Sequence, residues 1–573
     1  MNNTKQITKQ ITKKTKKIRT TKNEKIRITP LGGVEEVAKN MYLVEINDEM
    51  FLLDAGLMFP EVEMIGIDAV IPDITYVLKN KEKLKGIFIS NGHVSSIGAL
   101  PYIAGEINCP IFGSKLALEL LKNNLKSLGI KRRLKFRYVN EKSSYKFGNT
   151  DVTFFKTTYS MPDSLGIVLS TKKGNIVYTG EFKFDQSVSK EYKADMYEIA
   201  KLGQNKILAL ISDSTNASIS GYNTPEVEAA RQIEEAFYDA NKRLIVTCYA
   251  SNFLTMGHIL RASIKQNRKI FLLGEAINNA VRAARKLGYI KIEDDKFIKK
   301  ENLKNYPKNE ILILSSGQQG EPIEAIKNIA ERRIKDITIE KDDTVMIAAT
   351  PSPNMEVMLY NTLNLLSKLG ANVVASSKKL HASSHATKEE VKMMINLIKP
   401  TYLIPVQGEY RNLKKHKDAA IETGMKEENI FLLEKGNTLD LTAKKAKVFK
   451  KNITVGNILI DGKSAGDVED GVLKERKILA NDGIFVASYA ISRKTKKLIG
   501  RPCRQTKGFV YVKKSKELIK EAEQQVAQYI EKNPIRTIRD CKQIKIEIRK
   551  MLSSLLYDNT KRRPIIVVNF SLI

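Results

Sequence analysis

Residues 88–100 read FISNGHVSSIGAL. The apolar run Gly86-Ile87-Phe88-Ile89 has the make-up of a strand, and Ser90-Asn91-Gly92 that of a turn. Ile97-Gly98-Ala99-Leu100-Pro101-Tyr102 opens a helix, and the polar tip His93-Val94-Ser95-Ser96 sits between turn and helix. Sandwich and α/β enzymes place ligands at the C-terminal end of a strand in this way. The stretch therefore predicts a mixed α/β fold with its site at residues 90–96.

A chain of 573 residues is too long for one core, so about three domains are expected. No apolar run reaches the roughly 18–20 residues that span a bilayer. The N-terminus is basic and polar, without the apolar core of a signal peptide. The expectation is a soluble cytoplasmic protein with no membrane partner. Cys109, Cys248, Cys503 and Cys541 form no C-x-x-C pair, so reduced, buried thiols are expected. The net charge of +32 points to a polyanionic partner, most simply nucleic acid. A lysine-rich codon usage is the alternative source of that charge. Charge alone does not separate RNA from DNA or from the ribosome.

Residues 1–25 are a basic tail in which Lys5-Gln6-Ile7-Thr8 repeats as Lys9-Gln10-Ile11-Thr12. It carries too little apolar surface to offset the entropy of folding, so disorder is expected. It would hold phosphates non-specifically or simply be solvated. Ordered sequence starts near Ile26. Met41-Tyr42-Leu43-Val44-Glu45-Ile46 and Met50-Phe51-Leu52-Leu53 form a hairpin through Asn47-Asp48. Helical and strand patterns then alternate to about residue 216, and again over 226–349.

The stretches RITPLGGVEEVAKNMYLVEIND (27–48) and FLLDAGLMFPEVEMIGIDAVIPDITYV (51–77) resemble the start of bacterial ribonuclease J. The likeness continues through TTYSMPDSLGIVL (157–169), TGEFKFDQ (179–186), SDSTNA (212–217), SSGQQGEP (315–322), HASSHATKEEVKMMINLIKP (381–400), IPVQGEYRNLKKH (404–416) and KRRPIIVV (561–568). This family comprises metallo-β-lactamase nucleases with a β-CASP insert. The resemblance implies an α/β fold: a metallo-β-lactamase αββα sandwich, an inserted β-CASP domain and a small C-terminal α/β domain. It places the first lactamase part at 26–220, the β-CASP domain at 221–368 and the second lactamase part at 369–450. A linker would follow at 451–471 and the C-terminal domain at 472–573.

In the superfamily the opening stretch reads [S/T]-H-x-H-x-D-H and holds two zinc ions. Here Asn91 stands at the first His, His93 keeps the second, Ser95 replaces the Asp and Ser96 the third His. Tyr159 and Gln407 replace two further histidines, and Glu181 replaces the bridging Asp with one more methylene. Only His93 and Glu181 remain as metal-ligand candidates. Serine, asparagine, glutamine and neutral tyrosine are poor zinc ligands, and two ligands do not hold zinc at trace concentration. The expectation is no cofactor at full occupancy, with zinc only where the family site is partly retained. The bland reading of His93 is a satisfied, partly buried histidine.

Asp213 keeps the family's acidic catalytic position. Ala250, Ser251 and Asn252 keep a substrate-contacting turn, but Leu254 stands where the family has His. His258 lies one helical turn on, and is read as a helix-surface residue. His381, Ala382, Ser383, Ser384 and His385 match the family's phosphate-binding H-x-S-[G/S]-H, where small residues admit the substrate and imidazole and hydroxyl donate. Ser315 to Glu321 resembles the neighbouring loop, with Gln318 where the family has Ser; packing alone is the competing reason for its survival.

The resemblance implies a protein of RNA decay and rRNA maturation. With five ligand positions replaced, it is expected to bind RNA and to cut it little or not at all. It would pair with an active ribonuclease J paralogue as a hetero-oligomer, or form a homodimer through the C-terminal domain, with the ribosome a further candidate. The alternatives are an active 5′-to-3′ exo- and endoribonuclease with an altered metal site, and a non-nuclease factor using the basic tail.

Overall fold

A computed structural model describes residues 24–61, 64–317, 322–350, 355–375, 382–442, 445–462, 464–466, 470–495, 497–509, 516–533 and 538–573. The tail, apart from residues 24 and 25, lies outside the described residues, as do His381 and residues 318–321. Internal contacts divide the chain into two units: residues 1–59 with 69–458, and residues 60–68 with 459–573.

The first unit contains a sandwich of two sheets. One has eight strands, in the order Ala446–Phe449, Thr438–Leu441, Ile26–Gly32, Met41–Ile46, Glu49–Leu53, Leu84–Phe88, Pro110–Gly113 and Lys135–Tyr138. The other has six: Tyr402–Val406, Ile207–Asp213, Gly174–Tyr178, Leu165–Thr171, Thr150–Lys156 and Ser144–Phe147. Their facing sides share one core, in which Ile28, Val44, Phe51 and Phe88 meet Val152, Ile167, Tyr178 and Ile404. Every residue of Ile207–Asp213 is buried, because the helices Met196–Leu202, Lys388–Ile398 and Tyr410–Glu422 cover the sheet's outer side. Continuous apolar runs belong to strands covered on both faces.

A separate sheet of five parallel strands follows the same rule. Its central strand, Leu244–Thr247, is buried throughout. The helices Glu226–Asp239, Phe253–Lys265 and Glu275–Lys286 contribute to the core on one side, and Pro322–Ala330 and Glu356–Lys368 to that on the other. The sequence reading returns the chain to the lactamase part at 369. In the structure Asn372–Ala375 pairs in parallel with Thr344–Ile347 and extends this sheet. A strand, the helix Glu356–Lys368 and a second parallel strand make one crossover unit.

In the second unit the sheet order is Leu498–Lys507, Ile484–Ile491 and Ile565–Leu572. Alternate residues of Ile484–Ile491 are buried, as expected of a strand covered on one face. Phe485, Ala487, Tyr489 and Ile491 pack on the helices Lys516–Lys532 and Ile538–Thr560 through Val526, Ile530, Ile548 and Leu552. Residues 60–68 group with this unit, and the division falls at 458/459, inside the predicted linker. The expectation of four buried thiols fails: Cys248 is buried, Cys109 and Cys541 are partly covered, and Cys503 is exposed. No described helix is long and apolar enough to cross a membrane.

Candidate active site

Parallel pairing gathers the site. Gly174–Tyr178, Ile207–Asp213 and Tyr402–Val406 run in one direction. Glu181, Asp213 and Gln407 therefore follow or end three neighbouring strands on one side. Glu49–Leu53 and Leu84–Phe88 are also parallel, so Asp54 and the Ser90–Asn91 turn leave together. Gly56 permits the closest approach. A Cβ there would lie 1.6 Å from the Ser95 carbonyl oxygen. Without one, Ala55 N–H donates to Ser96 O at 2.8 Å and Leu57 N–H to Val94 O at 3.0 Å. Helical backbone begins at Val94, earlier than the sequence pattern suggests.

Glu181 is the hub. Ser95 Oγ donates to its Oε1 at 2.6 Å, and Asn91 Nδ2 donates to its Oε2 at 3.0 Å. Asn40 Nδ2 reaches Oε1 at 3.5 Å. A carboxylate only accepts, so the Ser95 hydroxyl proton points at Glu181. His93 Nδ1 accepts from Ser95 N–H at 3.2 Å, as a neutral imidazole can, and lies 2.8 Å from Ser95 Oγ. Burial pushes His93 below the usual histidine range, against the pull of Glu181, and favours this neutral form. Burial alone would raise Glu181, but His93, His385 and the Ser95 and Asn91 hydrogen bonds outweigh it and hold the carboxyl low. Tyr159 is buried edge-on to both imidazoles, with ring centroids 6.1 Å from His93 and 5.8 Å from His385.

Asp54 was not singled out from the sequence, yet it organises the layer beneath. Its carboxylate accepts from Ser90 N at 2.8 Å, Ser90 Oγ at 2.7 Å, Ser96 Oγ at 3.1 Å and Tyr178 OH at 2.7 Å. Burial, with Glu181 adding to it, still pushes its pKa up to about 7. Gln407 donates through Nε2 to Tyr178 OH at 3.2 Å. Its Oε1 is buried and receives no hydrogen bond from a described residue. Both Asp54 and Gln407 have left-handed backbones, with φ of 58° each, a conformation uncommon outside glycine. An acid in a left-handed turn directly after the strand FLL was the available sequence signal.

A second polar group adjoins the hub. Asp213 Oδ2 accepts from His385 Nδ1 at 2.7 Å, and its Oδ1 accepts from Thr215 Oγ1 at 2.7 Å and Thr215 N at 2.9 Å. Burial alone would lower His385, but Asp213 and Glu181 raise it above the usual histidine range. Ser383 Oγ accepts from Asn216 Nδ2 at 2.5 Å, and the His385 carbonyl accepts from Asn223 Nδ2 at 2.7 Å. Ala382 and Ser384 are buried beside them.

Ala250 and Ser251 line a cleft of about 640 Å³, which Gly92 and Val94 also line. Asn252 instead caps the helix Phe253–Lys265, accepting from Thr255 N at 3.0 Å. His258 is not the surface residue expected from helical spacing. Its side chain is 10% exposed, with Nε2 3.2 Å from Glu226 Oε2 and Nδ1 2.7 Å from Arg261 Nη2. The same Glu226 accepts from the fully buried Lys183 at 2.7 Å. The partner that covers His258 is 32 residues away in sequence, beyond the reach of a periodicity argument.

The donor set does not fit zinc. The Glu181 and Asp54 oxygens already accept from Ser90, Asn91, Ser95, Ser96 and Tyr178. His93 and His385 each engage Nδ1. The side chains at 91, 95, 96, 159 and 407 offer amide and hydroxyl oxygen in place of imidazole and carboxylate. Among the described residues, no three His, Cys, Asp or Glu converge as a metal cage.

Four family models match the chain. They are the metallo-beta-lactamase superfamily at 34–209, the ribonuclease J beta-CASP domain at 241–366, the Zn-dependent metallo-hydrolase RNA specificity domain at 370–433 and the ribonuclease J C-terminal domain at 471–572. The chain is 47% identical over 546 residues to Ribonuclease J 2 of Staphylococcus aureus (strain MRSA252), covering 95% of this chain and 98% of that one. It is equally similar to Ribonuclease J 2 of Staphylococcus epidermidis (strain ATCC 12228 / FDA PCI 1200), at 47% over 546 residues. A crystal structure of a protein of unknown function from Enterococcus faecalis V583 shares the fold at TM-score 0.52 and 14% identity. It covers 73% of this chain and 100% of that one.

Proposed function

Because the chain belongs to the ribonuclease J family, nucleases of RNA metabolism, we propose that it holds RNA with little or no metal-dependent cleavage of its own. In this reading it works beside an active ribonuclease J in RNA decay and rRNA maturation. One observation carries it: the Glu181 carboxylate is saturated by Ser95 and Asn91, the residues at two vacated ligand positions. Those donors stabilise the hub's buried charge by hydrogen bonding. Metal activation of water needs an open coordination site, and this donor set offers none.

RNA holding draws support from the second polar group. Asp213 fixes the His385 ring and favours its charged form, and Ser383 and Ser384 supply hydroxyls beside small residues. A cationic imidazole with hydroxyl donors suits a phosphate. Asp213 is therefore read as orienting His385, while the Glu181 oxygens are taken by Ser95 and Asn91.

The test combines metal analysis with a nuclease assay on 5′-monophosphorylated RNA, alone and mixed with an active ribonuclease J. The expected result is below about 0.1 metal ion per chain, no processive decay by the chain alone, and a mixed oligomer by light scattering. Processive decay that disappears in His93→Ala would overturn the reading. It would favour the alternative of an active exo- and endoribonuclease with an altered metal site.

A further inference from the structure

Residues 459–573 carry 25 lysines and arginines against 13 aspartates and glutamates. The helix Ile538–Thr560 turns Ile544, Ile548, Leu552 and Leu556 into the core of this unit. Another stripe, at the i, i+4 spacing of a single helix face, holds Arg549, Ser553 and Tyr557. With Lys550, Ser554 and Arg563 they line an open depression of about 490 Å³.

Tyr557 organises its cations. The Arg563 guanidinium carbon lies 4.6 Å from the ring centroid and Lys561 Nζ lies 5.2 Å from it. Cation–π attraction holds both side chains near the depression. Lys550 is paired with Glu547 at 3.1 Å. Arg549 and Arg563 have no carboxylate partner among the described residues.

We propose that this depression binds the sugar–phosphate backbone of single-stranded RNA, as a contact additional to the His385 group. The inference rests on the reading that the chain holds RNA. Guanidinium forks match phosphate oxygens two at a time, and serine hydroxyls complete such contacts. The lining contains no aliphatic side chain, whereas the centre of a protein–protein interface is apolar and aromatic. The chemistry therefore favours RNA over an acidic protein. Tyr557 is a positioning residue that aims Arg563 and Lys561.

The experiment is fluorescence anisotropy of the full chain with a labelled 5′-monophosphorylated single strand at several salt concentrations. Wild type, R549A/R563A, Y557A and Y557F are compared, with light scattering on each. R549A/R563A is expected to weaken binding about fivefold or more. It is expected to lower the slope of log affinity against log salt by about 1.4, roughly 0.7 for each lost phosphate contact on a single strand. Y557A shares part of the loss, and Y557F, which keeps the ring, retains wild-type binding. Unchanged affinity and slope in R549A/R563A overturn the proposal, as does a change in oligomeric state alone, which marks a protein interface. Wild-type chain that binds no RNA removes the reading above and this inference with it. Wild-type binding with unaffected variants removes only the inference.

Discussion

The Ser95 hydroxyl donates to Glu181 Oε1 at 2.6 Å, and the Asn91 amide takes the other oxygen at 3.0 Å. Two residues at positions where the family resemblance implies metal ligands thus serve one buried carboxylate. Ser95→Ala is expected to destabilise the chain by about 1–3 kcal/mol, because an acceptor in the interior loses its donor. In a Glu181→Gln background the penalty should shrink, giving a coupling of about 0.5–3 kcal/mol in a double-mutant cycle. Denaturant unfolding of the four chains measures it. Equal penalties in both backgrounds would refute the hub.

Restoring one ancestral-type ligand should harm the protein. Ser95→Asp puts a second carboxylate against Glu181, and two like charges at that distance cannot both ionise. The expected outcome is a lower melting temperature than wild type at pH 7. Added zinc should leave it unchanged, since a ligand that binds the native state would raise it. A zinc-dependent rise in melting temperature would show that a single reversal rebuilds the metal site.

Lys183 is fully buried, with Glu226 at 2.7 Å and Asp185 at 3.6 Å. Removing Glu226 leaves that charge only the longer Asp185 contact, so Glu226→Ala should cost up to about 3–5 kcal/mol. Burial would raise Glu226, but His258 and Lys183 together hold it at about 2, from an ordinary 4.5. Its folded pKa is depressed, so its contribution is complete above about 4.5 and is lost as pH falls through about 2. Urea midpoints measured across that window should fall more steeply for wild type than for Glu226→Gln.

For His385 the sign is opposite. Its pKa is raised above 6.5 once Asp213 and Glu181 have outweighed burial. RNA affinity that depends on the imidazolium is full below that value and declines as pH rises through the folded pKa. Asp213→Asn should move the decline to lower pH. Anisotropy titrations from pH 5.5 to pH 8.5 check it, and overlapping profiles would count against a role for this pair.

The strands were legible where burial is complete. Leu244–Thr247 and Tyr402–Val406 are bounded as their apolar runs suggest, because both faces of each are covered. The positions that the resemblance assigns to metal ligands lie within dense motifs, and the structure brings Asn91, Ser95 and Glu181 together. What escaped was long-range pairing. Asp54 sits within a strand-ending motif, but its role depends on Ser90, Ser96 and Tyr178, up to 124 residues away. Nothing in the local sequence marks Glu226 and Lys183, 43 residues apart, as a buried pair. The strand Asn372–Ala375 escaped because its sheet partner lies across a whole helix.

The register of the sandwich also fixes an order of events during synthesis. Ile26–Gly32 lies between Met41–Ile46 and Thr438–Leu441. The first described strand must therefore wait, with one edge open, until some four hundred later residues have left the ribosome. The five-stranded parallel sheet draws every strand from within 244–375, so it can close first and domains tend to fold as units. The nascent chain thus carries a finished insert inside an unfinished host, and the waiting edge is where a chaperone would be needed.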